Sequence, residues 1–174
     1  MTSNLRFEQF EHWVPFPVDK VFAFFSNPEN LSRIMPPASA TRLTGIERRP
    51  APPCPTGSLG SSAAGVGTRI VTSFRPVPWL PLRATWVSRI VEFEWNHHFA
   101  DIQEKGPFRS WRHRHRFAAE SRDGIAGTTV RDEIEYDAGF GFLGTIPDAL
   151  FIRRGIAATF AARQRALPQL LERG

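Results

Sequence analysis

The sequence predicts an α+β fold, in which a curved antiparallel sheet of six to seven strands wraps around one long C-terminal helix. Three observations carry this. From residue 40 to 137 the chain runs through segments of alternating apolar and polar residues, separated by turn-forming Gly, Pro, Asn and Asp. Near the C-terminus Ala149, Ile152, Ile156, Phe160, Leu167 and Leu171 recur at three- and four-residue steps, broken at Arg163-Gln164. Two short helices fit between the first strand and the rest, so helices and strands are segregated along the chain. With 174 residues the chain is expected to form one domain, 1–174, large enough to bury roughly 70% of its unfolded surface.

The elements follow in order. Phe7 to Phe16 reads as a strand. Pro17 opens a short helix carrying Val21, Phe22, Phe24 and Phe25. Asn27 caps a second, with Pro28 at its first position and Pro36-Pro37 at its end. Ala40 to Arg48 is a second strand. Residues 49–67 are rich in Pro, Gly, Ala and Ser and are expected to form a flexible loop. Thr68 to Arg75 and Leu82 to Glu94 are strands. They flank a rigid apolar turn whose Trp79-Leu80 pair either walls a cavity mouth or packs on a neighbouring loop. Asn96 to Glu104 precedes a turn at Lys105 to Phe108. Ser121 to Gly127 is expected to turn the chain into a last strand, Thr128 to Asp137. A helix then starts at Thr145. Gly155 in its middle points to close approach or room for a ligand, and Pro168 is expected to kink or end its last turn.

Residues 109–117 hold the main functional clue. Read with a period of two, Trp111, His113, His115 and Phe117 share one face, and Arg112, Arg114 and Arg116 share the other. Three arginines without partners are too costly to bury, so theirs is the solvent face. Thr129, Arg131, Glu133 and Glu135 of the last strand make a matching charged face beside them. The two histidines therefore point inward, along with Val130, Asp132, Ile134 and Tyr136. The preceding hairpin sets what Asp101 does. A three-residue loop, Gly106 to Phe108, puts Asp101 opposite His113 and Gln103 opposite Trp111, all inside with Phe99. A four-residue loop sends Asp101 to the surface. The apolar character of Phe99 favours the first.

These faces predict a ligand-binding cavity between the sheet and the C-terminal helix. Its lining is Trp79, Phe99, Gln103, Trp111, His113, His115, Phe117, Asp132, Tyr136, Ile152, Ile156 and Phe160. His113 and His115 are candidate acid-base groups, with Asp101 or Asp132 orienting an imidazole. His-x-His with an added Asp also fits part of a metal set, but no fourth ligand is evident, so no metal is expected. No glycine-rich phosphate loop or serine-nucleophile motif appears, and no cofactor is expected.

Composition narrows the field. The net charge is +5, nearly all of the positive charge being arginine spread along the chain, so a nucleic-acid partner is not expected. There is no apolar run long enough to span a membrane and no signal-peptide pattern. The one cysteine, Cys54, cannot form an internal disulfide, and the expected location is cytoplasmic.

Several motifs occur together and in order. They are Asn27-Pro28-Glu29-Asn30-Leu31 with Met35-Pro36-Pro37, Phe99-x-Asp101-x-Gln103, Gly106-Pro107-Phe108, Trp111-x-His113-x-His115-x-Phe117, and Thr129-Val130-x-Asp132 with Tyr136. In these the chain resembles the START-like (SRPBCC) superfamily, and within it the bacterial ligand-binding branch termed polyketide cyclase/dehydrase-like. It departs from that branch in its longer, Pro/Gly-rich loop at 49–67. The resemblance implies a helix-grip fold and binding of a hydrophobic small molecule or lipid. It leaves open a cyclase- or dehydratase-type enzyme, since the superfamily contains carriers and enzymes alike.

Overall fold

The structure is a computed structural model that describes residues 5–55, 62–77, 79–139 and 146–173, with the backbone alone at 146–150. Seven strands form one antiparallel sheet: β1 (Arg6–Val14), β2 (Arg42–Glu47), β3 (Arg69–Phe74), β4 (Ala84–Glu94), β5 (His98–Lys105), β6 (Ser110–Arg122) and β7 (Ile125–Asp137). Their order is β1-β7-β6-β5-β4-β3-β2, so β6, which carries both His113 and His115, lies inside the sheet with β7 and β5 on either side. Helices α1 (Val18–Ser26) and α2 (Leu31–Ile34) follow β1, and α3 (Ile146–Glu172) crosses the concave face. This is the helix-grip architecture that the pattern of elements predicts.

Local chemistry explains the joints. Asn27 Oδ1 accepts a hydrogen bond from the Glu29 amide at 3.1 Å and caps the turn leading into α2. The β6–β7 turn is shorter than expected. Asp123 (φ 51) and Gly124 (φ 77) both sit in the left-handed region, and the strands pair up to Arg122↔Ile125. An Asp-Gly pair of this kind closes a two-residue hairpin with the twist that flanking strands need. The ends of the 49–67 segment are fastened. The Gly65 amide donates to the Arg49 carbonyl and the Ala64 amide to the Ser26 carbonyl, each at 2.9 Å, and Ala64 is fully buried. Its centre, 56–61, lies outside the described residues, as does Thr145.

Two expectations about α3 are corrected. Pro168 does not end the helix, which runs on to Glu172. Leu167 and Leu171, both almost fully buried, flank it and hold the last turn against the core. Gly155 lies on the exposed face with nothing near the position of a Cβ, so it marks neither close approach nor ligand room.

The interior divides in two. At one end Val14, Val21, Phe22, Ile34, Phe99, Phe117, Val130, Leu167 and Leu171 pack into a dense cluster roofed by α1 and α2. At the other, Ile134, Tyr136, Ile156 and Phe160 pack with Phe10, Phe108, Trp111 and Ile152. No helix among the described residues is long and apolar enough to cross a membrane.

Candidate functional site

A polar belt runs along the seam between the two apolar clusters, and each element supplies one step of it. Along β1 the inner face reads Phe10, His12, Val14; along β7, Val130, Asp132, Ile134; along β5, Phe99 then Asp101. On β6 it reads Phe117, His115, His113, Trp111, and on α3 Phe160, Arg163, Leu167. Pairing fixes the alignment: Phe10↔Asp132, Asp132↔His115 and Asp101↔His113 are direct cross-strand partners. Directly opposed residues share a face, so these side chains converge.

Asp132 is the hub. Its Oδ1 accepts a hydrogen bond from His113 Nε2 at 2.9 Å, which requires the proton on that nitrogen. His115 Nδ1 is 2.7 Å from the same oxygen but poorly aligned for a hydrogen bond. The two imidazoles lie 3.9 Å apart, centroid to centroid. His115 packs on Phe99 at 4.4 Å, and His113 meets Phe160 edge-on at 5.3 Å. Asp101 closes the group: it, His113 and His115 each place a donor atom within 4.8 Å of the others. Those three are the one set among the described residues with metal-ligand spacing. The positive charge of Arg163, felt by Asp101, Asp132 and His115, opposes a dication there.

Burial dominates the protonation states. It drives His115 down to about 3, helped by the charge of His113 and resisted by Asp132, so this imidazole is neutral. Burial alone would push Asp132 up, but its two histidine neighbours hold the carboxyl well below the usual range. The charge of Arg163 adds to the effect of the two histidines in holding Asp132 as a carboxylate. Burial raises Asp101 against the opposing pull of His113 and Arg163. It lowers His12, with Asp132 resisting.

Among the described residues, five buried polar atoms on four side chains have no hydrogen-bond partner: both ring nitrogens of His12, His115 Nδ1, Tyr136 Oη and Arg163 Nε. Arg163 is 8% exposed, and its guanidinium lies over the Phe160 ring at 4.8 Å and 5.9 Å from that of Phe25. Among the described residues no carboxylate oxygen comes within 4.0 Å of it.

Comparison with known proteins places this arrangement. Residues 14–165 match the family described as polyketide cyclase/dehydrase and lipid transport. The chain belongs to this family. No curated protein matches it. Solved structures share the fold at low identity. TTHA0849 of Thermus thermophilus is 14% identical, with a TM-score of 0.67 over 95% of this chain and 97% of the other. A START superfamily protein from Mycobacterium smegmatis is 10% identical, with a TM-score of 0.64 over 96% and 97%. Norcoclaurine synthase from Thalictrum flavum is 14% identical, with a TM-score of 0.63 over 99% and 89%.

Within this polyketide cyclase/dehydrase fold the predicted residues separate. His113, His115, Asp132 and Asp101 come together, in the register of the shorter hairpin loop. Tyr136, Ile156 and Phe160 belong to the smaller apolar cluster, with Trp111 and Ile152 packed against it. Phe99 and Phe117 belong to the dense one. The Gln103 amide is spent on the hairpin turn, donating to the Phe108 carbonyl at 2.7 Å and accepting from its amide at 3.3 Å. Trp79 is 79% exposed and belongs to neither apolar cluster. The arginine face points outward as expected. Arg112 and Arg114 pair with Glu92, and Arg116 with Glu133. Sequence reading missed His12, Arg163 and Trp86, the last packed on Trp111 at 5.2 Å. The signal for Arg163 was present: it stands three residues after Phe160 and four before Leu167, on the apolar stripe itself.

Proposed function

We propose that this protein binds a hydrophobic small molecule or lipid in a cavity between the sheet and α3, with its polar group at the belt that His12, Asp101, His113, His115, Asp132 and Arg163 form. The supporting observation is the polar belt at the seam. Its members converge from four strands and one helix, and several lack partners, although buried polar groups are ordinarily satisfied. Phe10, Asp101, Trp111 and Ile152 face inward yet keep partial accessibility, which fits a space left between helix and sheet. Mass spectrometry of small molecules extracted from the natively purified protein tests the reading directly. A stoichiometric hydrophobic compound is expected, and a protein that neither retains one nor binds a neutral dye such as Nile red counts against it.

A second reading, a cyclase- or dehydratase-type enzyme, is favoured by one arrangement. His113 and His115 share the Asp132 carboxylate inside the enclosure, an arrangement of acid-base groups through which a proton can be exchanged with a bound substrate. On any substrate found, the His113→Gln/His115→Gln double variant is expected to lose turnover; full activity would remove both from catalysis.

A further inference from the structure

We infer that Arg163 is the recognition cation of the cavity and that the natural ligand is an amphiphile whose carboxylate docks on it beside His12. This rests on the ligand-binding reading above and names the class of ligand. Arg163 projects from α3 into the seam and is 8% exposed, with no partner for Nε. A guanidinium removed from water without a carboxylate in direct contact is costly, and the fold relieves it in part only, through the more distant charges of Asp132 and Asp101 and the two ring faces.

The two nearest acids are otherwise disposed. Asp132 is engaged by His113 and faces His115. Asp101 is drawn toward its neutral form by burial and lies opposite His113. The rings of Phe160 and Phe25 hold the guanidinium in place, leaving its fork of N–H donors free to take two oxygens side by side. His12 supplies a further donor from the sheet side, since both its ring nitrogens lack partners. From this point the apolar body of the ligand extends away from the dense cluster, along Phe10, Trp111 and Ile152.

The test compares ligands that differ in the head group alone. Dodecanoate and 1-dodecanol, and likewise 2-naphthoate and 2-naphthalenemethanol, compete with Nile red on the full-length protein. The wild type is expected to prefer each acid over its alcohol by about tenfold or more. In Arg163→Gln that preference collapses to about twofold or less, while Arg163→Lys keeps part of it. A second readout is the ligand-free melting temperature. Arg163→Met is expected to melt at or above the wild type, because removing an unpartnered buried cation relieves the fold. Equal displacement by acid and alcohol in the wild type, or a preference that survives in Arg163→Gln, overturns the assignment while leaving hydrophobic binding intact. Failure of Nile red and all four compounds to bind overturns the hydrophobic-ligand reading and this inference with it.

Discussion

At the scale of the residue, the interior is acid-sensitive by construction. His115 stays neutral in the fold down to a pKa of about 3, whereas on unfolding it recovers its ordinary value of 6.5. Between those values the unfolded chain binds the extra proton, so stability falls as pH drops from 6.5 toward 3. Asp132 adds to this lower down, since its carboxylate form stabilises the fold above the ordinary value of 3.8 and loses that effect as pH falls. Asp101 works the other way: its raised pKa favours the fold at low pH, an effect lost as pH rises. Urea unfolding between about pH 7.5 and about pH 4.5 covers the upper part of the histidine window, where the midpoint of the wild type is expected to decline. His115→Gln should flatten that decline, and a slope unchanged by the substitution would mean that another group carries it. Asp132→Asn removes the hub, leaving Arg163 and His113 without their counter-charge. A loss of roughly 3–5 kcal/mol is expected, as for breaking a buried pair from one side.

At the scale of the element, the exposed Gly155 offers a clean substitution. It sits mid-α3 with open space around the position of a Cβ, so Gly155→Ala should stabilise by about 0.5–1 kcal/mol and leave ligand affinity alone. A destabilised variant would restore a packing role to that position. How far elements were legible in the sequence follows from what sets them. The strands, the Asn27 cap and the inward histidines follow from periodicity and local chemistry, which act within a few residues. The register of β5 on β6 was legible because a one-residue slip would have turned Phe99 out with Asp101. Arg163 was passed over because an arginine within an apolar stripe is ordinarily read as the stripe's edge, and burial of its charge depends on what the sheet places opposite. Trp79 shows how much less legible a turn is than a strand. An apolar turn residue invites a role in the cavity, while its 79% exposure depends on neighbours that the sequence pattern does not name. Of the two outcomes expected at Pro168, the helix end does not occur, because Leu167 and Leu171 pack the last turn against the core.

At the scale of the whole molecule, the two apolar clusters make α3 unequal along its length. Its C-terminal half is fixed by Leu167 and Leu171 against Phe22, Phe117 and the short helices. Its N-terminal half rests on the smaller cluster through Ile156 and Phe160, with Ile152 half-buried, and Phe151 is 66% exposed. Opening free energies follow the density of buried apolar contacts, so the N-terminal half should open at lower cost. Amide hydrogen exchange read by mass spectrometry is expected to be faster over residues 146–160 than over 161–172 in the free protein. A ligand seated along Phe10, Trp111 and Ile152 binds the closed state alone, and mass action then suppresses that opening. Saturating dodecanoate should therefore slow exchange over 146–160 and in the facing part of β6 around Trp111, while Leu167 to Leu171 changes little. Uniform slowing along the whole helix would place the ligand elsewhere, since global stabilisation alone, without a local seat, protects both halves alike.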